Sequence, residues 1–148
     1  MSTSVRPPVP TKLQLLELLA AIGTAQWRDF ADAAARYGLT STQAKVLAQL
    51  EGPVPMRGLA TLLACDASNV TGIVDRLESR ELVRREPDPA DRRVKNVVAT
   101  EAGRETIRRV REEMQATHTA LDTLDDDERA ALQALLERLR PGLERRPA

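Results

Sequence analysis

The sequence predicts a mainly α-helical chain with one small β-hairpin near its middle, on three observations. Apolar residues recur at helical spacing through much of the chain, as in Leu15, Leu18, Leu19 and Ile22, or Leu132, Leu135, Leu136, Leu139 and Leu143. Two short runs of strand composition, "LVRRE" and "VKNVVA", flank a charged loop from Pro87 to Arg93 that carries two prolines. Cap and breaker residues fall between the periodic segments, at Gly38, in "EGPVP", and at Thr100 and Asp125.

In chain order, residues 1–10 read as a flexible tail, and residues 11–148 as a single domain. Leu15, Leu18, Leu19, Ile22, Trp27, Phe30 and Ala34 mark an amphipathic first helix that Gly38 ends. Thr40 and Gln43 then form a T-x-x-Q capping box, which satisfies free backbone N–H groups at both ends and starts a helix with Ala44, Val46, Leu47 and Leu50 inside. After "EGPVP" come two short helices. The apolar set Leu59, Leu62 and Leu63 runs out at a turn on Cys65 and Asp66, and Asp66 caps the second helix. This is helix-turn-helix spacing. Thr100 caps a long helix running towards Leu121, and Asp125 with Glu128 opens the last one.

Composition bounds the function. No apolar run approaches the roughly 18 to 20 residues of a membrane span, and the first ten residues lack the apolar block of a signal peptide, so a cytoplasmic protein without membrane contact is expected. The single cysteine, Cys65, excludes an internal disulfide and a multi-cysteine zinc site. His118 is the only histidine, so neither a metal nor another cofactor is expected. Net charge is zero, yet unevenly spread. From Arg57 to Arg111 twelve Lys and Arg stand against nine Asp and Glu, net +3; from Leu121 onward five stand against seven, net −2.

The second helix of the pair must bury Val70, Ile73, Val74 and Leu77, which repeat at helical spacing. Its opposite face holds Ser68, Gly72, Asp75 and Ser79, flanked by Asn69, Thr71 and Arg76. That composition suits a DNA major groove: Asn bonds an adenine edge, Arg a guanine, Ser and Thr several edges, and Gly72 permits close approach. Taken alone, such a face reads more readily as an ordinary solvated one. A helix-turn-helix followed by a hairpin with a basic loop is a winged helix. Prolines 87 and 89 stiffen the loop. Asp91 and Arg93, two apart, fall on one side of an extended chain, where the carboxylate can aim the guanidinium into a minor groove. A solvated hairpin with a weak surface ion pair is the alternative.

Taken together, "GLTSTQAKVLAQL", "LATLLACDASNVTGIVDRLESRELVRREPDPADRRVKNVVATEAG" and "LDTLDDDERAALQALLERL" resemble the MarR (multiple antibiotic resistance regulator) family of bacterial transcription regulators. The resemblance runs from Thr11 to Leu143. It implies a winged helix-turn-helix over residues 41–100, with N- and C-terminal dimerisation helices over 11–38 and 101–145. It further implies a homodimer on palindromic double-stranded operator DNA, acting as a repressor released by a small-molecule effector. Carried onto this chain, the recognition helix is 67–80 and the wing pair is Asp91 and Arg93. Family members commonly have Gly where Glu81 stands, and Gly would ease a left-handed helix end.

The expected DNA-binding residues are therefore Ser68, Asn69, Thr71, Gly72 and Arg76 on the helix and Asp91, Arg92 and Arg93 on the wing. Arg57, Arg84, Arg85 and Lys95 are candidate phosphate contacts, each equally a solubilising charge. Trp27, Phe30 and His118 are candidates for an effector pocket, with core or dimer packing as the plainer reading. Cys65 reads as a small buried apolar residue. A protein-binding winged helix is the rival class. No enzyme is expected, since no nucleophile beside a histidine motif, phosphate-cradling glycine loop or paired-carboxylate pocket can be placed.

Overall fold

A computed structural model describes residues 8–63 and 67–144, with the backbone alone at 67, 68 and 144. The turn at Cys65 and Asp66, the Asp66 cap, the burial of Cys65 and most of the N-terminal tail lie outside the described residues, as does the Ser68 side chain. The elements are α1 (Lys12–Arg36), α2 (Ser41–Gln49), β1 (Val54–Pro55), α3 (Met56–Leu63), α4 (Ala67–Ser79), β2 (Val83–Pro87), β3 (Lys95–Ala99), α5 (Glu101–Thr117) and α6 (Asp126–Glu144). They divide into two compact units, one ending at Arg111 and the other beginning at Glu112. Among the described residues no helix is long and apolar enough to cross a membrane.

In the first unit, local chemistry sets the helix ends. The Thr40–Gln43 capping box forms as expected: the Gln43 N–H donates to Thr40 Oγ1 at 3.1 Å, and the Thr40 N–H to Gln43 Oε1 at 2.9 Å. Thr11 and Gln14 make the same box at the start of α1. At the other end of α1, Gly38 adopts φ +67°, the Gly38 N–H donates to Ala35 O, and the Leu39 N–H donates to Ala34 O. This Schellman ending tucks Leu39 into the core. Arg80 donates to Gly38 O and Tyr37 O, so a side chain just past α4 satisfies two carbonyls that α1 leaves free.

The core is built from Ala44, Val46, Leu47 and Leu50 of the α2 region, Leu59 of α3, Val70, Val74 and Leu77 of α4, and Leu82, Val83, Val97, Ile107 and Val110 beyond. Leu62 is exposed, and so is the face of α1 around Leu15, Leu18 and Ile22, leaving Ala33 and Ala34 as the buried residues of that helix. Helical spacing identified these apolar faces correctly, but spacing carries no information about what covers them.

The expected hairpin is present, with β2 and β3 antiparallel from Val83↔Ala99 to Pro87↔Lys95. A third strand was not anticipated: β1 pairs with β3 through Val54↔Val97 and Pro55↔Asn96, giving the order β1-β3-β2. The central place of β3 explains its imperfect alternation, since Asn96, Val97 and Ala99 are all buried.

The end of α4 repeats the Schellman pattern without glycine. The Glu81 N–H donates to Glu78 O and the Leu82 N–H to Leu77 O, while Glu81 adopts φ 57°. A Cβ in this left-handed region costs about 1 to 2 kcal/mol. Glu81→Gly is therefore expected to raise the unfolding free energy by about 0.5 to 1 kcal/mol, after allowing for glycine's greater freedom in the unfolded chain. A urea midpoint at or below that of the wild type would contradict this.

Thr100 then caps α5, its Oγ1 accepting the Gly103 N–H at 3.1 Å and donating to Glu81 O at 2.6 Å. Its own N–H donates to Leu82 O. In the second unit, α5 stops at Thr117, short of the expected Leu121, where the Thr117 hydroxyl bonds back to the carbonyls of Glu113 and Met114. A short 3-10 turn, Thr119–Thr123, follows. The Asp125–Glu128 capping box opens α6 as expected. Leu132, Leu136, Leu139 and Leu143 of α6, together with Leu121, line an open apolar groove of about 690 Å³.

Candidate nucleic-acid interface

Burial of Val70, Val74 and Leu77 fixes the rotation of α4 and turns its other side outward. Asn69, Thr71, Gly72 and Arg76 are all exposed there, and an added Cβ at Gly72 would meet nothing within 4 Å. The surface is polar and shallow, as close approach to base edges requires.

The same helix carries two acids, Asp75 and Glu78, which would repel a phosphate backbone. Arg85 of β2 reaches both. Its guanidinium pairs with the Asp75 and Glu78 carboxylates, and its backbone N–H donates to Glu78 Oε1 at 3.2 Å. Burial works against the Arg85 charge, but the hydrogen bond it donates to Asp75 and the charges of Glu78 and Asp75 outweigh it and hold the pKa above the ordinary value. Arg85 is thus committed to joining the wing strand to α4, and the expectation of a phosphate contact there is corrected. Arg84 is likewise engaged, with Glu86 at 2.5 Å on the same strand.

At the wing tip the chain turns instead of extending. The Val94 N–H donates to Asp91 O at 2.9 Å, and Asp91 Oδ1 accepts the backbone N–H of Arg93 at 3.0 Å. Asp91 therefore shapes the turn under Arg93 and does not grip its guanidinium, because residues 91 to 94 fold into a β-turn stabilised by the aspartate. Among the described residues the guanidinium groups of Arg76, Arg92 and Arg93 have no hydrogen-bonding or ionic partner, and all three side chains are exposed.

The structure brings Arg93 beside two of the other expected cations. Arg57 at the start of α3, Arg93 on the turn and Lys95 at the start of β3 line one cleft of about 330 Å³, floored by Pro55, Met56 and Val94. Three cations around an open cleft suit an anionic oxygen group.

Sequence reasoning missed Asp88 and Asn96. Asp88 Oδ1 accepts the N–H groups of Ala90 and Asp91 at 2.8 and 3.2 Å, and Oδ2 accepts from the Asn96 amide at 2.8 Å. The bonds from Asn96, Ala90 and Asp91, in that order, hold the Asp88 carboxyl below the ordinary carboxylate range. An aspartate between two prolines is a turn signal that could have revealed the loop contacts, though not the bond across the hairpin.

Of the proposed pocket residues, Trp27 and Phe30 are adjacent on α1, with ring centroids 5.6 Å apart, and Lys45 Nζ lies 5.7 Å from the Trp27 ring centre. Trp27 remains 44% exposed, so this cation–aromatic edge is open to a ligand. Lys45 was not among the expected residues. His118 belongs to the second unit, half-buried just past α5, where its backbone N–H donates to Met114 O.

Comparison with known proteins bears on this arrangement. The family model described as "MarR family" matches residues 39–95, the span of the helix-turn-helix and wing. The HTH-type transcriptional repressor NicR of Pseudomonas putida is 36% identical over 104 residues, covering 68% of this chain and 66% of that protein. The chain thus spans just under two thirds of that relative. Among solved structures, apo MarR from E. coli matches 90% of this chain and 98% of its own at 25% identity, with a TM-score of 0.73. Bordetella bronchiseptica BpsR, described as regulated in its DNA binding by 6-hydroxynicotinic acid, matches 86% and 98% at 28% identity, with a TM-score of 0.65. With its helix-turn-helix and wing matched by the family model and its helical flanks shared with solved relatives, the chain belongs to the MarR family of transcription regulators.

Proposed function

We propose that the protein is a homodimeric, sequence-specific DNA-binding regulator, acting as a repressor released by a small acidic aromatic effector. The observation that carries this reading is the pairing of Arg85 with Asp75 and Glu78, which leaves an exposed polar α4 face without free carboxylates and ties it to a wing with unpaired arginines. In this reading Ser68, Asn69, Thr71 and Arg76 meet base edges in the major groove, and Gly72 allows close approach. Arg93, with Arg92 beside it, enters the minor groove, Asp91 holding the turn beneath, while Arg57 and Lys95 hold phosphates. Residues 41–100 form the DNA-binding part. The uncovered apolar faces of α1 and α6, in the parts 11–38 and 101–145, are closed by a second copy. A dimer places two recognition helices about 10 bp apart, or a multiple of that, and so reads a palindrome.

The repressor sense is supported by the likeness to NicR. The effector class is supported by the BpsR ligand and by Trp27, Phe30 and Lys45 here, where an aromatic acid would stack on the rings and offer its carboxylate to the amine. Such a ligand acts only if it binds one of two dimer geometries better than the other.

Selection from a pool of random duplexes tests the proposal. The wild type is expected to enrich a palindrome, and Asn69→Ala or Arg76→Ala to relax preference at particular base pairs by about 1 to 3 kcal/mol. Failure to enrich any sequence would overturn the reading; equal weakening on every sequence would restrict these two side chains to backbone contact.

A further inference from the structure

We propose that Asp88 is the positioning residue of the wing: its carboxylate, anchored on the buried amide of Asn96, fixes the turn that carries Arg93. The inference rests on the DNA-binding reading and names the group that sets the wing's shape before any duplex arrives.

The wing tip has little else to order it. Pro89, Ala90, Asp91, Arg92 and Arg93 are exposed, so the loop has no apolar anchor of its own. Its order comes from a connected set of hydrogen bonds. Asn96 sits on the central strand at 5% exposure and donates its amide to Asp88 Oδ2. Asp88 Oδ1 passes that anchorage to the N–H groups of Ala90 and Asp91. Asp91 in turn accepts the N–H groups of Arg93, through its side chain, and of Val94, through its carbonyl. The Asp88 N–H closes the ring on Val94 O at 2.9 Å. A loop ordered in advance loses less conformational freedom on binding, which appears directly as affinity.

Charge alone makes the opposite demand. A carboxylate beside a phosphate backbone repels it, so if Asp88 did nothing but carry its charge, its removal would tighten binding. Hydrogen-bonding shape also separates two replacements. Asparagine can accept from Ala90 and Asp91 through its Oδ1 and donate through its amide to Asn96 Oδ1, which is buried without a partner among the described residues, once the Asn96 amide turns over. Alanine can do neither.

The test uses the full chain and the duplex that the wild type selects from a random pool. Asp88→Ala is expected to bind it about tenfold more weakly, and Asp88→Asn to recover all but about threefold, with both variants folded at the temperature of the titration. Amide exchange at Ala90, Asp91 and Arg93 should accelerate in Asp88→Ala and stay slow in Asp88→Asn. Binding by Asp88→Ala as tight as the wild type or tighter would overturn the inference, as would Asp88→Asn proving as weak as Asp88→Ala. If the wild type selects no duplex, the DNA-binding reading falls, and unchanged exchange in Asp88→Ala would separately refute the positioning role.

Discussion

Arg93→Ala is expected to weaken binding to the selected duplex by roughly 30- to 150-fold while the dimer stays folded. The magnitude is that of charge-assisted hydrogen bonds lost from one side chain, about 2 to 3 kcal/mol, with tenfold in affinity for each 1.4 kcal/mol. Arg93 is the residue on which two features of the wing converge: its backbone N–H is held by Asp91, and its free guanidinium lines the cationic cleft with Arg57 and Lys95. Its removal breaks no bond within the protein, since the guanidinium has no partner among the described residues. A gel-shift titration beside a thermal melt separates binding from folding. Unchanged affinity would remove the wing from the interface.

The second large effect concerns folding. Gly103→Ala is expected to destabilise the protein by about 3 kcal/mol, although alanine favours helices over glycine by about 1 kcal/mol. A Cβ built on Gly103 would stand 2.0 Å from Leu82 O, 3.0 Å from the Leu82 carbonyl carbon and 3.3 Å from Leu47 Cδ2. The first two are backbone atoms, and the Leu82 carbonyl cannot retreat without losing the Thr100 N–H. Neighbouring structure is equally fixed, because Leu82 closes the ending of α4 on Leu77 O and is itself buried. The "TEAG" stretch thereby acquires a physical meaning: Thr100 caps α5, and the absence of a side chain at Gly103 lets that helix lie against the turn that leads from α4 into the wing. Urea denaturation at matched protein concentration gives the measurement, and a midpoint equal to or above the wild type would contradict the packing described.

Most helices could be read from the chain because their signals are local. The Thr40–Gln43 and Asp125–Glu128 boxes need only four residues each, and both form. Thr11 and Gln14 carry the same pattern and went unread beside the stronger apolar periodicity of α1. β1 could not be foreseen: it is two residues long, one of them Pro55, and exists only because β3 offers it an edge. Among site residues, the exposed side of α4 followed directly from the spacing of Val70, Val74 and Leu77. The roles of Arg85, Asp88 and Asn96 did not, since each depends on a partner brought close by the hairpin or by α4 packing. Arg85 looked like one more surface cation until its two acids were placed beside it. Asp91 does lie beside Arg93, but the bond it makes is to the backbone, because the tip is a turn and not a strand.

The most direct measurement is a fluorescence-anisotropy titration of a labelled selected duplex at falling salt, with the mass of the complex followed by sedimentation. One duplex bound by two chains is expected, with log affinity falling linearly against log salt at about 0.9 per phosphate neutralised. A monomer that leaves duplex DNA unbound at low ionic strength would contradict the assignment of α4 and the wing to a shared DNA surface.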